Sequence, residues 1–250
     1  MIADPLFYLA AVPGVILVGL SKGGFGGMMG VLATPMIALA VPPMQAAAIM
    51  LPIMLVMDAV ALVAWRGIFD RRTLILLLPG GVLGVALGWA LAASVTPEMV
   101  RLVVGAVALA FVARHLLGGG TAKAPRPHSP PKGLFWGAAS GFTSFVSHAG
   151  GPPYQMYVLP LRLDPRRFAG TAAIFFAAIN LLKVGPYFAL GQFSATNLLT
   201  SLALLPLAPL ATLAGVRLVK IVRPETFYRV IYVMVLVVAL KLIRDGLQGL

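Results

Sequence analysis

Four ionisable side chains stand inside apolar stretches of this chain: Lys22, Asp58, His148 and Lys183. Charge at such depth is costly and is usually kept for a purpose. Lys22 lies in the run Gly19-Leu20-Ser21-Lys22-Gly23-Gly24-Phe25-Gly26-Gly27. His148 lies in Gly141-Phe142-Thr143-Ser144-Phe145-Val146-Ser147-His148-Ala149-Gly150-Gly151-Pro152-Pro153. Glycine breaks a helix and lets backbone approach a ligand. Pro152 and Pro153 suit the first turn of a following half-helix. Half-helix N-termini present free N–H groups and partial positive charge, and so favour anions. Lys22 adds a full positive charge, and Ser21, Ser147 and His148 add hydrogen-bond donors. The chemistry is anion binding by Ser21, Lys22, Gly23 and Gly24 together with Ser147, His148, Gly150 and Gly151.

Asp58 stands mid-segment in Ile53-Met54-Leu55-Val56-Met57-Asp58-Ala59-Val60, and Lys183 in Asn180-Leu181-Leu182-Lys183-Val184-Gly185-Pro186-Tyr187. Asn180 and Lys183 would line the same site. Asp58 pairs either with Lys183 or with Lys22, and it is the candidate for proton coupling. Structural readings stand beside these. The glycines also serve close helix packing, Lys22 can snorkel to a surface, and His148 can be a satisfied buried histidine. Arg66, Arg71, Arg72, Arg166, Arg167 and Arg217 read as topology signals at the lipid surface.

Other chemistries lack their residues. There is no cysteine, hence no disulfide, thiol nucleophile or Cys-type zinc site. No Gly-x-Ser-x-Gly elbow, Walker loop or His-Glu-x-x-His occurs. No cofactor is expected, and a gradient-driven carrier or channel fits better than a pump.

The elements that must position these residues are membrane helices. Hydrophobic residues make up 60% of the chain and charged residues 10%, with a mean hydropathy of +0.97. A soluble domain carries about 25% charge because its surface must be wetted, so lipid is the solvent here. The net charge of +12 follows from basic cytoplasmic loops and does not indicate nucleic acid. The N-terminus lacks a basic n-region, so the first apolar stretch reads as a membrane segment rather than a cleaved signal. Apolar segments run over 6–20, 25–41, 44–65, 73–93, 99–117, 133–146, 151–161, 168–190, 197–219 and 227–243. A crossing needs about 20 apolar residues, and the first two segments of each half fall short. The Pro/Gly-rich stretch 118–132, with Lys123, Arg126 and Lys132, reads as a cytoplasmic linker.

The halves 1–117 and 133–250 look alike at an offset of roughly 125 residues. Gly26-Gly27 and Pro35 align with Gly151-Pro152 and Pro160. Asp58 aligns with Asn180, Gly67-Ile68-Phe69 with Gly191-Gln192-Phe193, and Thr96-Pro97-Glu98 with Arg223-Pro224-Glu225. Each basic loop faces a neutral twin: Arg66–Arg72 against Gly191–Thr196, Arg162–Arg167 against Val41–Pro43, and Arg217–Arg223 against Ser94–Pro97. By the positive-inside rule the twins lie on opposite sides. The expectation is a single all-α polytopic membrane domain of two inverted-topology repeats. Each repeat is a short-helix hairpin plus three spanning helices, with both termini outside. About 15 helical residues reach roughly 22 Å, short of a ~30 Å core, which makes the short pairs re-entrant hairpins with polar tips.

The two tips resemble the sulfite exporter TauE/SafE family of membrane transporters. The residues that carry the resemblance are the Gly19–Gly27 and Gly141–Pro153 runs quoted above, supported by Gly170-Thr171-Ala172-Ala173-Ile174-Phe175-Phe176 and Asn180-Leu181-Leu182-Lys183. The resemblance spans nearly the whole chain. It implies a multi-pass carrier of the inner (plasma) membrane. Its substrate class would be sulfur-containing anions such as sulfite or organosulfonates.

The expected function is therefore a secondary transporter of a small anion by alternating access, with protons as the candidate coupling ion. An anion channel using the same site as a filter is the alternative of a different kind, and a non-transporting membrane scaffold is a third. Counterflow separates carrier from channel, and harmless tip substitutions would indicate the scaffold.

Overall fold

A computed structural model describes residues 1–2, 4–27, 36–37, 40–41, 43–91, 96–117 and 125–248. Among them the chain forms helices and no strand. The helices are α1 Pro5–Gly24, α2 Pro43–Ala64, α3 Arg71–Ala90, α4 Pro97–Leu117, α5 Pro130–Ser147, α6 Gly151–Val158, α7 Pro165–Ala189, α8 Ala195–Leu204, α9 Leu207–Ile221 and α10 Pro224–Gln248. A 3₁₀ turn, Leu159–Leu161, follows α6.

The starts of these helices are written in the sequence. Pro5, Pro43, Pro97, Pro130, Pro165 and Pro224 open their helices, where a missing N–H is no loss and φ is already set. Asp4, Asp70, Asp164 and Ser194 cap the amides of Leu6, Thr73, Arg166 and Asn197 at 2.9, 2.7, 3.0 and 3.2 Å.

Helices α1, α3, α7 and α10 and residues Gln45–Ala64 of α2 are long and apolar enough to cross a membrane. Helices α8 and α9 pass together, bent by 46° at their break. Pro206 sits in that break and caps α9, so an apolar stretch read as one helix is two. Leu9, Val63 and Phe188 are 72%, 77% and 74% exposed; an apolar outside of this kind faces lipid.

Helices α1 and α5 run past the bounds read from the sequence, whereas the short segment 151–161 keeps its bounds as α6 and the 3₁₀ turn. Helix α1 continues past Leu20 through Ser21-Lys22-Gly23-Gly24 and reaches 20 residues, about 30 Å at 1.5 Å per residue. The first segment is therefore long enough to span. Helix α5 begins at Pro130, so the end of the linker is helical. Helix α6 is short at 8 residues, about 12 Å, and every one of them is buried. The expected second segment, 25–41, and the linker residues 118–124, Lys123 included, lie largely or wholly outside the described residues.

Close helix crossings use glycine. A Cβ on Gly80 or Gly84 of α3 would run into the carbonyls of Leu134 and Ala138 on α5. One on Gly137 or Gly141 would meet those of Leu77 and Gly81 on α3. Helices α1 and α9 cross in the same manner, Gly23 against the Thr212 carbonyl and Gly215 against that of Leu20. Small residues four apart let backbones approach, so packing replaces the hydrophobic force that lipid removes.

The principal helix pairs are α3 with α5, α1 with α9, α2 with α7 and α4 with α10. Exchanging the segments that the sequence aligns leaves this pairing unchanged. Pairs α3–α5 and α1–α9 trade places, and α2–α7 and α4–α10 map onto themselves.

Candidate functional site

The chain has seven acidic residues, and six belong to helix ends or surface pairs. Asp4, Asp70 and Asp164 are N-caps. Glu98 and Glu225 lie in first turns, where the helix dipole favours them. Asp245 pairs with Lys241 at 2.8 Å. Asp58 has no such role and is buried in the middle of α2.

Its partners come from both halves. Lys22 Nζ donates to Asp58 Oδ1 at 2.5 Å, and Asn180 Nδ2 donates to Asp58 Oδ2 at 2.6 Å. Of the two pairings open to Asp58, the structure makes the one with Lys22. Lys22 lies in the last turn of α1, where the carbonyl end of the dipole also favours a cation. Its Nζ stands 5.7 Å from the centroid of the Phe176 ring, within cation–π range.

Lys183 makes a second cluster. Its Nζ donates to Ser144 O at 3.3 Å and Ser144 Oγ at 3.1 Å, and lies 3.3 Å from His148 Nδ1. Tyr187 Oη is 3.4 Å from His148 Nε2. A charged Lys183 donates to Nδ1, which leaves the ring proton on Nε2, facing Tyr187. Phe176, Asn180, Lys183 and Tyr187 recur at helical spacing along α7, so one face of this helix serves both clusters. Lys22, Asp58, His148 and Lys183 are all buried.

Both clusters sit at helix breaks. After α1 the backbone turns at Gly26 and Gly27, with φ of +72° and +65°, values open to glycine at little cost. The Ser21 carbonyl accepts from Phe25 N at 2.7 Å and Gly27 N at 3.3 Å. After α5 the turn is made at His148, φ +53°, an uncommon value for a residue with a side chain. It is held by His148 N to Ser144 O at 3.2 Å and Ala149 N to Thr143 O at 3.1 Å. Side chains tighten it: Ser140 Oγ donates to Gly150 O at 2.7 Å, and Thr143 Oγ1, which donates to Ala139 O at 2.7 Å, lies 3.1 Å from Ala149 O. The Phe176 ring closes against both turns, 3.4 Å from a Cβ built on Gly27 and 3.2 Å from one on Gly150. Gln155 Nε2, from α6, donates to Phe25 O at 3.2 Å. The breaks of the two halves therefore meet.

The breaks are narrower than the sequence suggests. Gly23 and Gly24 are helical and face Thr212, Val216 and Val219 of α9, and Gly23 O accepts from Trp65 Nε1 at 2.8 Å. Their place is one of packing, because a residue inside a helix spends its N–H on the carbonyl four residues back. Ser21 is buried beside Lys22. Ser147 ends α5, and its side chain lies outside the described residues. Gly150 caps α6 and Gly151 begins it. Pro152 and Pro153 have no N–H, so these two glycines carry the first-turn amides.

Ser144, Tyr187 and Phe176 join these clusters although their residue types alone do not mark them. They lie inside the Gly141–Pro153, Asn180–Tyr187 and Gly170–Phe176 runs, and the i+4 spacing of Tyr187 from Lys183 is the signal for it.

The family model described as sulfite exporter TauE/SafE matches residues 11–242. No curated protein matches the chain, and no solved structure does. The match covers nearly all of the chain, through both helix breaks and through Lys22, Asp58, His148 and Lys183, and the protein belongs to the sulfite exporter TauE/SafE family of membrane transporters.

Proposed function

We propose that the protein is a secondary transporter of a small sulfur-containing anion, sulfite or an organosulfonate, working by alternating access. The observation that carries this is a charge imbalance. Two buried lysines, Lys22 on Asp58 and Lys183 on Ser144, stand where two helix breaks meet, with Asp58 as the one buried carboxylate among the described residues. With both amines protonated, the cluster is one negative charge short. Buried charge is tolerated when it is paired, and an arriving anion supplies the pair. The substrate class comes from the family, and the amines, Ser21, Ser144, His148 and the Gly150–Gly151 amides are the groups an oxyanion would meet.

Proton coupling follows from competition for Lys22. The anion and Asp58 both need that amine. An anion that takes Lys22 leaves Asp58 without a cation in a dry site, and one proton neutralises it. Anion and proton then move together. If Asp58→Asn left proton-driven uptake intact, this step would be wrong.

The reciprocal helix pairing and the alternating loop charges support two halves of opposite orientation, with the termini outside and 118–132 inside, in a bacterial-type inner membrane. Rocking one half against the other would expose the site to each side in turn. The deciding experiment is uptake into proteoliposomes with sulfite, taurine-like sulfonates, sulfate and chloride compared, with and without internal anion. Saturable uptake of a sulfur oxyanion, accelerated by counterflow, is expected. Flux without counterflow would make the protein a channel.

A further inference from the structure

Away from the buried lysines, the outer surface carries two adjoining spaces of opposite character. The first is a groove of about 380 Å³ between α4, α5 and α6, lined by Val103, Val104, Val107, Phe135 and other apolar side chains with Thr143 as the polar exception. Val103 is 64% exposed, so the groove opens to lipid. The second is a pocket of about 180 Å³ where the end of the linker meets α5 and the end of α6, lined by Arg126, His128, Ser129 and Lys132. Trp136 and Met156 line both spaces, so the two adjoin at these side chains.

The pocket is basic and incompletely satisfied. The Arg126 backbone N–H is fixed to Pro160 O at 2.9 Å, which holds the linker end over α6. The nearest acid in contact is Asp70, 3.7 Å from His128 Nε2. Asp70 already accepts from Thr73 N at 2.7 Å. His128 Nδ1 is buried without a hydrogen-bond partner. Along α5, Lys132 to Thr143 is 11 residue steps, about 16 Å at 1.5 Å each, which is the depth of one leaflet of a ~30 Å hydrocarbon core.

We propose that groove and pocket together hold one anionic phospholipid, its phosphate at Arg126, His128 and Lys132 and one acyl chain in the groove. The basic end, the apolar length and their contact at Trp136 and Met156 match an amphiphile better than either a free anion or a bulk acyl chain. Basic pockets between membrane helices are suited to anionic head groups. The lipid would tie the linker end to α5 and α6, whose far ends form the second helix break. The site shares no residue with the Lys22–Asp58 cluster, so its failure would leave the transport proposal standing.

The test is lipid retention by the purified full chain, read by native mass spectrometry. Phosphatidylglycerol, phosphatidylcholine and soluble glycerol 3-phosphate are compared. Wild type should retain phosphatidylglycerol in preference to phosphatidylcholine. The double variant Arg126→Ala/Lys132→Ala should lose about thirtyfold in that preference, from about fivefold per basic residue at a membrane surface. Val103→Trp, which fills the groove at an exposed position, should weaken both lipids. Equal retention of the two lipids, or an unchanged preference in the double variant, overturns the proposal. Glycerol 3-phosphate displacing phosphatidylglycerol at equal concentration also overturns it, because the site would then be one for free anions.

Discussion

Asn180 donates to Asp58 through Nδ2 and Oδ2 at 2.6 Å, and in the proposed repeat these two residues are counterparts. The contact sits where α2 and α7, counterparts in that repeat, pack on one another. One half supplies a carboxylate at this place and the other a neutral amide. The difference makes the pair a hydrogen bond rather than a repulsion, and it leaves the second oxygen of Asp58 to Lys22.

Asn180→Asp should therefore be damaging although it is nearly isosteric. Two carboxyls at hydrogen-bond distance do not both ionise but share a proton, which removes the amide donor to Asp58 and weakens its hold on Lys22. The KM for the transported anion should rise about tenfold or more, tenfold being roughly 1.4 kcal/mol. An unchanged KM in reconstituted vesicles would contradict the role given to this contact.

The helix crossings give a stability prediction. Gly84→Val and Gly215→Val place side chains against backbone carbonyls on α5 and α1, which cannot move as a side chain does. Overpacking of this kind costs about 1–3 kcal/mol or more, and both variants should unfold at lower temperature in detergent. Gly185→Ala is the control, since a Cβ there meets nothing within 4 Å; it should be neutral or stabilising. Matching losses in all three would remove the packing account.

Much of this was legible in the sequence, and the exceptions have physical reasons. Prolines and acidic caps mark helix starts because they act locally, and apolar length marks spans. The groups that bind Lys183 were harder to find: Ser144 is on another helix, and its contact depends on how α5 and α7 pack. Composition alone starts the first break at Gly19 because glycine has two uses. Gly19 and Gly23 face α9 and serve packing, whereas Gly26 and Gly27 carry positive φ and make the turn; composition alone does not separate these. The Lys22–Asp58 pair was one of two options, decided only by tertiary placement. The bend at Pro206 was missed because the apolar run continues through it.

Asp70, outside the membrane spans, gives a pH prediction. Burial raises its carboxyl, but the hydrogen bond from the Thr73 amide and the charges of His128 and Arg167 outweigh this and hold it below the ordinary 3.8. A depressed folded value stabilises fully above the unfolded value and loses that contribution as pH falls through the folded one. Asp70→Ala should cost about 1 kcal/mol at neutral pH, as for loss of an N-cap. The gap between variant and wild type should begin to narrow below about pH 3.8 and close once pH falls past the lower folded value. A gap that persists in acid would assign the effect to something other than the carboxylate.

Opposite orientation of the halves predicts a labelling pattern. Single cysteines at Gln192 and Arg71, in a chain with no native cysteine, occupy aligned loops. Impermeant maleimide on intact cells should label Gln192→Cys and spare Arg71→Cys until the cells are opened. Both labelling from one side would remove the inverted arrangement.

The most direct test is anion uptake by proteoliposomes containing wild type or Lys22→Ala, run with a sulfur oxyanion and matched for protein that elutes as a folded species. If Lys22 supplies the charge that the anion meets, uptake by the variant falls to the level of empty vesicles while wild type saturates. Equal uptake by the two proteins would contradict an anion site at the meeting of the helix breaks.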